Sequence, residues 1–62
     1  MRLLVVEDET LLREQLVSSL TQGGYAVDGA EDGEEGFYQL QEFDYDLAII
    51  DLGLPKIDGI SL

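Results

Sequence analysis

Cysteine is absent from the 62 residues, so there is no disulfide framework and no thiolate chemistry. Positive charge is scarce. Arg2, Arg13 and Lys56 stand against fourteen acidic residues, for a formal net charge of −11. Such a chain repels nucleic acid, because it cannot supply the Lys/Arg phosphate contacts that drive binding. Anionic membrane surfaces should repel it too. Cations and basic patches on partner proteins are its natural counterparts. The bland alternative is that the excess acid keeps the protein soluble. No apolar run approaches the roughly 18 residues of a membrane span. Met1-Arg2-Leu3 passes straight into a strand pattern, with no room for the parts of a signal peptide. Internal repeats, low-complexity tracts and linkers are also missing. These absences fit the cytoplasm.

What is present reads as globular. The hydrophobic content is 45% and the mean hydropathy is near zero. The length allows one domain at most, which buries only about 60% of the surface its unfolded chain exposes.

Residues 2–7 form a continuous apolar strand pattern, as expected of a central strand covered on both faces. Thr10 is the expected N-cap of a helix over about 10–22, with Leu12, Leu16 and Leu20 forming its apolar stripe. Gly23-Gly24 stops it. Tyr25-Ala26-Val27 reads as a short strand. Asp32-Gly33-Glu34-Glu35 resembles a capped helix start, and Phe37 and Leu40, with Tyr38 and Phe43, give that helix an apolar face. Asp46–Asp51 is the third strand. Residues 52–56 are a loop, and Asp58-Gly59-Ile60-Ser61-Leu62 looks like the start of another helix. Helical crossovers imply parallel strands with right-handed connections. Order 2-1-3 puts the two helices on opposite faces, and the apolarity of Leu3–Val6 favours it over 1-2-3. The expected fold is therefore a doubly wound α/β sheet, βαβαβ, with its switch point between strands 1 and 3.

Both strands at that switch point end in acid: Glu7-Asp8-Glu9 after the first and Asp51 after the third. Order 2-1-3 puts Asp8 and Asp51 side by side. Converging carboxylates persist mainly where a cation or a reaction uses them. Asp51 is the candidate nucleophile for an acyl phosphate. Phosphoryl transfer asks the protein mainly for alignment and charge neutralisation, which a magnesium ion can supply. Asp8 is the best direct ligand, Glu7 or Glu9 can act through water, and the Gly53 carbonyl can complete the site. Strand-terminal acids that merely enter solvent are the competing explanation.

Val5-Val6-Glu7-Asp8-Glu9, Asp51-Leu52-Gly53-Leu54-Pro55 and Asp58-Gly59 together resemble the receiver domain of two-component response regulators. The detail is most similar to PhoP-like members of the OmpR/PhoB branch, and the likeness runs over the whole chain. The resemblance implies a partial CheY-like, flavodoxin-like fold. It implies that Asp51 is the phosphoacceptor, that Asp8 and Glu7 are the acidic pair at magnesium, and that Gly53 supplies a carbonyl. Pro55, Asp58 and Gly59 shape the following loop and helix. A sensor histidine kinase would be the phosphodonor, docking largely on the first helix. Leu11, Glu14 and Gln15 are candidates there, with Leu11 equally open to a core role.

Receivers have five strands and five helices, so residues 1–62 are expected to be the N-terminal half of one, without an effector domain. The family's strand-four Ser/Thr and strand-five Lys have no counterpart, and Lys56 lies in the wrong loop. Phosphorylation of this chain is therefore expected to be slow or undetectable. Control of transcription would run through an effector outside the chain, which itself should not bind DNA. Two other function classes compete. One is a non-switching acidic interaction module. The other is a haloacid-dehalogenase-type phosphatase fragment, disfavoured because Glu7-Asp8-Glu9 lacks that family's paired aspartates. A flavodoxin-like cofactor binder is disfavoured too, since acids stand where phosphate needs backbone amides. The third strand, an edge in 2-1-3 order, is expected to join copies of the chain into a homo-oligomer.

Overall fold

Leu3, Leu4, Val5 and Val6 are all buried, and the sheet is built around them. The computed structural model describes residues 1–51. Strand β1 (Arg2–Glu7) is central, flanked by β2 (Ala26–Ala30) and β3 (Leu47–Asp51), both parallel to it. The order is β2-β1-β3, as the apolar run in β1 led one to expect. Pairing runs from Arg2↔Ala26 to Val6↔Ala30 on one side and from Leu3↔Leu47 to Glu7↔Asp51 on the other.

Helices α1 (Thr10–Gln22) and α2 (Gly33–Glu42) supply the crossovers. Leu4, Val6, Ala30 and Ala48 share one face, and α2 lies on it: a Cβ at Gly36 would come within 2.8 Å of Val6 Cγ2. Arg13 and Val17 of α1 meet the alternate face at Gly29. The sheet is thus covered on both sides, with apolar contact driving each docking.

Several details depart from the sequence expectation. Glu9, not Thr10, is the N-cap of α1, and no side chain caps it. Strand β2 runs to Ala30, beyond Val27, because Asp28 and Gly29 each have a reason to be in a strand. Asp28 pairs with Arg2, and Gly29 is a ladder partner of Val5 with the Arg13 stem packed over it. The expected apolar face of α2 is largely open, with Phe37, Tyr38, Leu40 and Phe43 exposed; the helix residue it buries is Gly36. Phe37, Leu40 and Ile50 instead rim a cavity of about 200 Å³. Asp32 does cap α2, accepting from the Glu35 N–H at 2.8 Å. After α1 the left-handed residue is Gly24, at φ 99°.

At the N-terminal end of the strands Arg2 organises a polar cluster. Its guanidinium donates twice to Asp28 Oδ2, at 3.1 and 2.8 Å, and lies over the Phe43 and Tyr45 rings. The Tyr45 hydroxyl donates to the same Asp28 oxygen at 2.6 Å. The Arg2 N–H donates to Asp46 Oδ2 and the Asp46 N–H to the Arg2 carbonyl. Asp46, just before β3, is thereby tied to the start of β1. This cluster fixes the α2–β3 connection at the end of the sheet opposite the acids.

Candidate functional site

Glu7 is the last residue of β1 and Asp51 the last of β3, and the two are register partners. The sequence expectation set Asp8 beside Asp51. The register instead aligns Glu7 with Asp51 and leaves Asp8 one residue further on, exposed in the β1–α1 turn. Parallel pairing begins at Leu3↔Leu47, and counting from there fixes the acids.

Glu7 is 2% exposed, the one buried charged residue among those described. Its Oε2 accepts the Glu9 N–H at 3.0 Å, while Oε1 is buried with no hydrogen-bond partner. An unsatisfied buried carboxylate oxygen is costly. The Glu9 N–H is the largest single influence on Glu7 and favours its ionised form. Burial, the neighbouring Asp8 carboxyl and the charges of Asp51 and Asp8 oppose it. Together they hold Glu7 above the usual glutamate range. The end of β1 thus gathers the Glu7 and Asp8 carboxyls beside Asp51, like charges that oppose one another at Glu7.

That donor chemistry, hard carboxylate oxygens including an orphaned one, fits a hard divalent cation that keeps several waters. Among the described residues no three acidic side chains form a ready metal cage. The expected Gly53 carbonyl lies outside the described residues, as do Pro55, Lys56, Asp58 and Gly59. Glu9 is exposed, and its backbone N–H serves Glu7.

One contributor was not legible in the sequence. Arg13 Nη1 donates to the Glu7 carbonyl at 2.8 Å. A bond to a main-chain carbonyl leaves no pattern in side-chain identity; the single available clue was a cation among so many acids. On the outer face of α1, Leu11, Glu14, Gln15, Ser18 and Ser19 line a shallow depression of about 440 Å³. Leu11 is 59% exposed, which removes the core alternative for it.

Residues 3–62 match the response regulator receiver domain family. The chain belongs to that family. This receiver has the partial CheY-like α/β fold, with three parallel strands in order 2-1-3 and two helices. It is 52% identical to "Two-component response regulator PhoP" of Pseudomonas aeruginosa over all 62 residues. It is 55% identical to "Virulence transcriptional regulatory protein PhoP" of Salmonella typhimurium strain LT2 and 53% identical to "Transcriptional regulatory protein PhoP" of Escherichia coli K12. Each comparison covers 100% of the receiver chain but 28% of the relative, so the chain spans little more than a quarter of their length. Membership sets aside the haloacid-dehalogenase alternative: a receiver is not an enzyme of that kind. Among the described residues no helix is long and apolar enough to cross a membrane.

Proposed function

We propose that this receiver is a phosphoacceptor, taking a phosphoryl group on Asp51 from a sensor histidine kinase. The observation that carries the reading is the Glu7–Asp51 register pair, with a buried, unsatisfied Glu7 oxygen beside it. Asp8, Glu7, Asp51 and the Gly53 carbonyl are the groups that would hold magnesium. Bound there, the ion would neutralise charge on the phosphoryl oxygens. An Asp51 carboxylate oxygen would form a bond to phosphorus as the bond from phosphorus to the donor nitrogen breaks, the electron pair leaving with the donor imidazole. Placement at a strand end would fix the position of Asp51, and alignment is most of what this chemistry needs from a protein.

The kinase would dock on α1, where Leu11, Glu14 and Gln15 offer an apolar point flanked by polar groups. Residues 1–62 would serve as the N-terminal half of a receiver in a cytoplasmic regulator, with transcription controlled through an effector outside this chain. The chain itself would bind neither nucleic acid nor membrane, given its charge of −11.

Prolonged incubation with acetyl phosphate and magnesium, read by intact mass and peptide mapping, tests this. The expected product, wherever labelling is seen, is phosphoaspartate at Asp51 alone. Labelling that survives Asp51→Asn, or that maps to another acidic residue, contradicts the assignment.

A further inference from the structure

Three hydrogen bonds close a ring around Asp8. Glu7 Oε2 accepts the Glu9 N–H at 3.0 Å, the Glu9 carbonyl accepts the Arg13 N–H at 2.9 Å, and Arg13 Nη1 donates to the Glu7 carbonyl at 2.8 Å. Asp8 is the residue enclosed. It is exposed, so packing does not fix it. The ring does, by tying the residues before and after it to Arg13 of α1: the Glu7 carbonyl to its guanidinium, and the Glu9 carbonyl to its backbone N–H in an ordinary helical bond.

We propose that Arg13 is the positioning residue of the acidic strand end, closing this ring so that Asp8 and Glu7 are presented together to a divalent cation. The proposal rests on the magnesium reading given above. Two further observations support it. Arg13 lies in the first turn of α1, near the positive end of the helix dipole, where a cation is disfavoured. The bond to the Glu7 carbonyl offsets that unfavourable placement. The route of its stem is also provided for. A Cβ at Gly29 would lie 3.4 Å from Arg13 Cδ and 3.5 Å from Cγ, ordinary van der Waals contact, so the stem runs directly over β2 there. Packed on β2 in this way, the Arg13 stem carries its guanidinium to the end of β1.

Groups that orient metal ligands from one layer out commonly change affinity by about 10- to 100-fold when removed. Arg13→Met keeps an unbranched apolar stem along Gly29 and removes the donor. Arg13→Lys restores a donor without the guanidinium fork. Magnesium titration followed by NMR, with thermal unfolding of each variant, separates positioning from folding. Arg13→Met should weaken magnesium binding by about tenfold while remaining folded, and Arg13→Lys should recover part of the loss. A second arm needs no metal. In the metal-free protein, Arg13→Met should speed hydrogen exchange of the Glu9 amide while leaving Val5 and Val6 protected. Wild-type magnesium affinity in a folded Arg13→Met variant overturns the proposal, and so does an unchanged Glu9 amide. If the wild-type protein ignores magnesium, the magnesium reading and the affinity half of this proposal both fall. The exchange arm then decides the ring by itself.

Discussion

Glu7 and Asp51 face each other across β1 and β3, and Glu7 has one oxygen satisfied by the Glu9 N–H and one left without a hydrogen bond. The folded state holds the Glu7 proton more tightly than the unfolded chain does, because burial and the Asp8 and Asp51 charges outweigh the Glu9 bond. An acid shifted upward on folding destabilises the protein as pH rises from its unfolded pKa through its folded one. Glu7→Gln should remove that loss. The variant should be more stable than wild type at neutral pH without magnesium, with the difference shrinking as pH falls below the usual glutamate range. Thermal unfolding across pH checks this, and a variant less stable at neutral pH would contradict it.

Asp28 has the opposite sign. The Tyr45 hydroxyl first, then Arg2, hold its carboxyl below the usual aspartate range despite partial burial. Its contribution is present above the unfolded pKa and is lost as pH falls through the folded one. Tyr45→Phe keeps the ring over Arg2 and deletes the hydroxyl bond. With the Asp28 side chain 35% exposed, solvent screens the pair, and a loss of about 1 kcal/mol at neutral pH is expected. The loss should fade in acid. Urea denaturation at two pH values reads both.

Gly36 tests the packing of α2. Alanine would gain about 1 kcal/mol in helix propensity. Its Cβ, however, would stand 2.8 Å from Val6 Cγ2, a stiff β-branched side chain in the core. Overpacking costs typically about 1–3 kcal/mol, so Gly36→Ala should destabilise by about 1 kcal/mol net. A stabilised variant in denaturant titration would mean that α2 shifts freely on the sheet.

Strand order was legible because four successive apolar residues in β1 need cover on both faces, and only 2-1-3 supplies it. The acids were legible in kind, and their register was off by one: the turn after β1 contains Asp8, and only the actual pairing shows Glu7 opposite Asp51. Gly36 was hidden because apolar periodicity pointed to Phe37 and Leu40, while a helix that docks this closely needs its smallest residue at the contact. The expected second strand stopped at Val27, short of Asp28, because the partner that makes Asp28 fit in a strand, Arg2, is 26 residues away.

β3 pairs only with β1 among the described residues, and Leu47 and Ile50 are more than half exposed, one on each face. An apolar edge of this kind pairs readily with another chain. A second copy joined along β3 is the expected occupant, opposed by the net charge of −11 and favoured by salt that screens it. Ile49→Lys should dissociate the assembly. Sedimentation at high protein and high salt that finds only folded monomer contradicts this expectation.

On the proposed reading, the ends of β1 and β3 form a divalent-cation site built on Asp8, Glu7 and Asp51. An NMR titration of the 62-residue chain with magnesium, run beside Asp8→Ala, tests it most directly. Weak, saturable shifts confined to the amides around Glu7–Glu9 and Asp51 are expected, all lost in Asp8→Ala. Wild-type spectra that magnesium leaves unchanged, or equal shifts in the Asp8→Ala variant, would contradict it.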